Sequence, residues 1–125
     1  MDLNLQHRRI VLGKTGVEFL CKPLSTVAWQ RVSAALARSG GGAAMLGDPQ
    51  WGTDVREILT EHVVSVQNAP TFTPEEGPPY HPSLAQMLDV GMLFKFMVDA
   101  VIQLYRESAL TEEDAGKSRS PPPTS

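Results

Sequence analysis

The sequence predicts an α+β fold: an N-terminal β-hairpin followed by about three to four helices and a disordered C-terminal tail. Three observations carry this reading. Two short apolar runs, residues 9–12 and 17–21, flank the loop Gly13-Lys14-Thr15-Gly16. Apolar residues then recur at helical spacing in several segments. From Thr111 onward the chain is polar and closes on Ser-Pro-Pro-Pro-Thr-Ser, too little apolar surface to order itself. One α+β domain over residues 1–110 and a tail over 111–125 is the expected organisation.

In the second strand Val17, Phe19 and Cys21 alternate onto one face, with Glu18, Leu20 and Lys22 on the other. Leu20 breaks the polar face. Pro23 ends the strand, and Ser25 or Thr26 caps a helix to about Arg38, whose buried side is Leu24, Ala28, Val32, Ala35 and Leu36. The glycines Gly40, Gly41 and Gly42 stop it and read as a flexible link. Residues 43–46 suit a short turn of helix. Thr53 or Asp54 then caps a second helix over residues 55–62, and the β-branched residues 63–66 suit a short strand.

Residues 68–80 hold four prolines without periodicity and read as a surface loop. Pro82 is expected at the first position of a helix over 83–89. Gly91 either bends or separates this helix from a stronger one over 92–106. Around that last helix Lys95, Asp99, Gln103 and Arg106 fall on an arc about 80° wide at 100° per residue, leaving most of the circumference apolar. A typical surface helix has a narrower apolar stripe. The segment is therefore either a central core helix or one that buries a second side against a partner. On the second reading, Phe94, Met97, Val98, Val101, Ile102 and Tyr105 are the candidate partner-binding residues.

Composition narrows the function classes. With 42% apolar and 20% charged residues, the chain is ordinary for a globular domain with one modest core. Aromatics supply only 6%, so the core is expected to be aliphatic and Met-rich. A single cysteine leaves no internal disulfide, and Cys21 reads as a buried, inert thiol. No secretory leader and no membrane-spanning run are recognised, which places the expectation in the cytoplasm.

Net charge is −3 but uneven: six basic residues precede residue 39 against two acids, and the remainder is acidic. The basic residues are scattered, so a solvated surface is expected and nucleic acid is not. The opposite charges of the two parts favour self-association, and a homo-oligomer is expected.

Catalytic chemistry finds no footing. Gly13-Lys14-Thr15 invites a phosphate-loop reading, but the required upstream glycine is replaced by Arg8 and a strand follows the loop. His7, His62 and His81 lie in separate elements without ligand spacing, and each is expected to be a surface or half-buried histidine. Asp54, Glu57 and Glu61 are spaced one helical turn apart, where acids on an exposed helix complement its dipole. Trp29 and Trp51 are expected to anchor the core or an interface. No enzyme activity, cofactor or metal is expected.

The order of parts resembles the tail assembly chaperones of long-tailed bacteriophages and related prophages. The matching pieces are the hairpin leading into Lys22-Pro23-Leu24-Ser25-Thr26, the stretch Val63-Val64-Ser65-Val66 followed by Phe72-Thr73-Pro74-Glu75-Glu76, and an apolar helix closing in Ser-Ala-Leu-Thr-Glu-Glu-Asp-Ala-Gly-Lys-Ser at residues 108–118. This resemblance implies a non-enzymatic role in the host cytoplasm: binding along the tape measure protein until the tail tube protein polymerises around it. It also implies a longer frameshifted product in some members. Met87, Met92 and Met97 would lend such a surface adaptability. Two other readings stand beside it: a ring-forming structural tail or head–tail joining component, and a small adaptor contacting nucleic acid through Arg8, Arg9 and Arg31.

Overall fold

A computed structural model describes residues 3–109. The expected tail over 111–125 lies outside the described residues. The fold is α+β, as the sequence predicts: among the described residues, a three-stranded antiparallel sheet with five α-helices. In order these are β1 (Arg8–Val11), β2 (Glu18–Cys21), α1 (Thr26–Ser39), α2 (Ala43–Leu46), α3 (Pro49–His62), β3 (Val63–Gln67), α4 (Leu84–Leu88) and α5 (Phe94–Glu107). A 3₁₀ turn, Gly91–Leu93, separates α4 from α5.

The hairpin turn is closed by Leu12 N–H donating to Val17 O at 2.9 Å and Thr15 N–H to Leu12 O at 3.1 Å. Glycine is favoured at position 13 for two reasons. Its φ is +53°, and a Cβ would lie 2.8 Å from Cε1 of Phe96 on α5. The turn is thus pressed against α5, so a local loop residue fixes a long-range contact.

The β-branched stretch after α3 is a full strand. β3 pairs antiparallel with β2, placing β2 in the centre of the sheet. Leu20 faces Ser65 while Cys21 faces Val63, so Val64 is an extra, bulged residue on the edge strand. Ile10, Phe19 and Cys21 are completely buried beneath the helices.

Capping sets the helix boundaries. Ser25 Oγ accepts from Ala28 N–H, and Gly40 in the left-handed conformation returns its N–H to Leu36 O, so α1 starts and stops as read from the sequence. α3 is longer than expected. It starts at Pro49, capped by Asp48 Oδ1 accepting from Gln50 N–H at 3.0 Å, not at Thr53 or Asp54. Asp-Pro reads as a turn, yet it is also a cap followed by a first-turn proline. The early start brings Trp51 into the helix, where it is fully buried.

The same boundary corrects the reading of Asp54. It is buried, accepting from Gln50 Nε2 at 3.1 Å with Arg38 at 4.0 Å, while Glu57 is exposed and paired with Arg31. Arg38 also bonds Asp48 and holds that carboxyl below its usual range. α4 begins one residue later than expected. Ser83 and Gln86 form a capping box, and Pro82 stands outside it.

Candidate protein-binding groove on the last helix

The amphipathic pattern of α5 is met by the chain itself to a greater extent than by any open surface. Met97, Val98, Ala100, Val101 and Leu104 are buried, packed with α1, α3 and β1 in one core. Of the six candidate partner-binding residues, Met97 and Val101 are therefore core residues that a docking partner would not reach without disrupting the fold, and Val98, also buried, contributes only to the floor of an open hollow beside α5. Their burial has a simple cause: the hairpin and three helices together cover more of α5 than the helices alone would.

The remaining three lie at the fringe. Tyr105 stacks on Trp29, with ring centroids 4.1 Å apart and planes 24° from parallel, and its hydroxyl hydrogen-bonds Ser33 Oγ at 3.0 Å. That pairing fastens α5 to α1 and makes Tyr105 chiefly structural. Phe94 is half-buried with its ring near Gly52 of α3. Ile102 alone combines partial exposure with a place in an open depression.

The polar arc divides too. Lys95, Asp99 and Arg106 are exposed, whereas Gln103 is half-buried and donates from Nε2 to Val11 O at 2.9 Å. Gln103 thereby covers a carbonyl of the edge strand β1, a role that helical periodicity alone does not reveal.

Asp99, Ile102 and Arg106 form a ridge on α5 at helical spacing, with a hollow on each side. The larger hollow, about 600 Å³, runs between α5 and the Gly40–Gly42 loop with α2. Leu36, Leu46 and Ile102 supply its apolar surface, Leu46 being 41% exposed. The smaller, about 260 Å³, lies towards Gly13 and Gln103. Among the described residues Lys95, Asp99 and Arg106 join no ion pair. The site is thus an apolar strip bounded by both signs of charge, with side-chain-free glycine backbone as one wall. The sequence marked Gly40–Gly42 as a link only; its role as a wall depends on α1 and α2 folding back against α5.

The other singled-out residues sit elsewhere. His62 is buried, deeper than the surface or half-buried position expected, with both ring nitrogens in hydrogen bonds. His81 is exposed, its Nδ1 3.3 Å from Pro70 O. Cys21 is buried, and desolvation, with a smaller contribution from Glu107, pushes its thiol up to about 12. Met87 and Met97 are buried, leaving Met92 as the surface methionine of the three proposed to adapt to a partner. No cluster of three metal-ligating side chains occurs among the described residues, and no helix among them is long and apolar enough to cross a membrane.

Arg8 donates to the carbonyls of Asn4 and Gln6, Arg9 pairs with Glu18, and Arg31 pairs with Glu57. These three cations are engaged separately and do not converge. Comparison with protein-family models, curated proteins and solved structures finds no match.

Proposed function

We propose that this chain is a non-enzymatic protein-binding module that receives an amphipathic helix along the Asp99–Ile102–Arg106 ridge, and that it serves as a tail assembly chaperone in the host cytoplasm. The observation that carries the reading is the ridge flanked by two hollows, with Ile102 between charges of both signs. A helix laid beside α5 places apolar residues against Leu36, Leu46 and Ile102, while its acidic and basic positions meet Lys95, Arg106 and Asp99. The resemblance of Lys22–Thr26, Val63–Val66 and residues 108–118 to tail assembly chaperones names that helix as part of the tape measure protein. The same resemblance implies several copies arrayed along so long a partner.

The test is co-expression with a tape measure protein, followed by mass determination by light scattering. A soluble complex with several copies per partner chain supports the chaperone role. A closed ring that ignores the partner would favour a structural tail component and overturn it.

A further inference from the structure

The loop over residues 68–82 is pinned, not loose. Phe72 N–H donates to Tyr80 O at 2.7 Å and Tyr80 N–H to Phe72 O at 2.9 Å, forming a two-residue bridge. Their rings meet edge to face, centroids 5.8 Å apart at 74°. Behind them the chain continues to Val90 and Met92, and together these residues bound a depression of about 290 Å³. Met92 is 88% exposed and Tyr80 41%, although both carry large apolar surface. No charged residue lines the depression, and its side-chain polar groups are the hydroxyls of Thr71, Thr73 and Tyr80.

That combination suits one ligand chemistry well. A polyproline segment has no backbone N–H to satisfy, so it needs an apolar, ring-lined surface with hydroxyl donors for its carbonyls. It also loses little conformational entropy on docking, because its backbone is already restricted. This chain contains such a run in its sequence, Pro121-Pro122-Pro123.

We propose that Pro121-Pro122-Pro123 docks intramolecularly on the Phe72–Tyr80–Met92 depression. The reach allows it. Met92 lies just before the start of α5, which is about 21 Å long. Eleven residues, 110–120, separate the last described residue from Pro121, and a chain of that length can span at most about 40 Å. The absence of charge in the lining fits a segment whose central three residues are uncharged. Occupation would cover Met92 and Tyr80, a paired patch otherwise open to solvent. The depression lies apart from the α5 ridge, so this inference stands independently of the proposed partner.

The experiment compares proton–carbon and proton–nitrogen NMR spectra of the full chain and a variant with Pro121→Gly, Pro122→Gly and Pro123→Gly. The expected result is a shift of the Met92 methyl and Tyr80 ring resonances, with the Val101 and Leu104 methyls unmoved. A second variant, Tyr80→Ala in the full chain, should shift the Thr124 and Ser125 amides. Spectra that coincide at Met92 and Tyr80 in the first comparison, and at Thr124 and Ser125 in the second, would overturn the proposal. Shifts that vanish on dilution would assign the segment to another copy and overturn docking within one chain.

Discussion

The Nε2 atom of His62, at the end of α3, accepts a hydrogen bond from Ser25 N–H at 3.1 Å, while Nδ1 lies 2.7 Å from Ile58 O. The arrangement requires the proton on Nδ1, donated within the helix, so that Nε2 is free to accept. His62 O also accepts from Lys22 N–H at 2.9 Å. One residue thus joins the end of β2, the cap of α1 and the last turn of α3.

His62→Ala would leave the Ser25 amide without its partner at the start of α1. A loss of about 1–3 kcal/mol in urea-unfolding stability is expected. A change within about 0.5 kcal/mol would show that the bond contributes nothing net.

Gly13→Ala should destabilise the hairpin by about 1–2 kcal/mol from the left-handed conformation alone. The 2.8 Å approach to Phe96 adds to this cost. The double variant with Phe96→Leu should couple with it, losing less than the sum of the single changes. Strict additivity would mean that the ring does not crowd the turn.

Cys21 should resist thiol reagents in the native protein and react fully after denaturation, as its burial requires. Its folded pKa is raised from 9.0 to about 12, so the neutral thiol is favoured in the native state. The resulting stability is complete below pH 9 and is lost as pH rises towards 12. Unfolding titrations of the wild type and Cys21→Ala should therefore converge across that window; parallel curves would contradict the assignment.

Met97→Asp places a charge in the core beside residues that are themselves buried and should prevent folding. Ile102→Asp, at the half-buried ridge, should leave the far-ultraviolet spectrum and cooperative unfolding intact. A folded Met97→Asp would contradict the packing of α5.

The parts of this fold legible in the sequence are those decided locally. The glycine-bounded turn, the Ser25 cap and the β-branched run after His62 each act within a few residues. Residues whose role depends on distant partners were not legible. Trp51 is legible as a core anchor, but the helix start at Pro49 that takes in Trp51 and Asp54 is not, because a proline after aspartate signals a turn as well as a cap. His62 falls on the same side of its helix as Val55, Ile58 and Leu59, but its bond to Ser25 is visible only once the fold brings the two together. The apolar arc of α5 is plain in the sequence, but what covers it is not. Gln103 turns inward to β1, and Met97 and Val101 meet the core, so Ile102 is left as the apolar crest of the groove.

The most direct measurement is the light-scattering mass of the wild type and of Ile102→Asp, each co-expressed with a tape measure protein. The account predicts a soluble multi-copy complex for the wild type and a folded chain without bound partner for the variant. An Ile102→Asp chain that folds and still enters the complex in full would contradict the α5 ridge as the binding site.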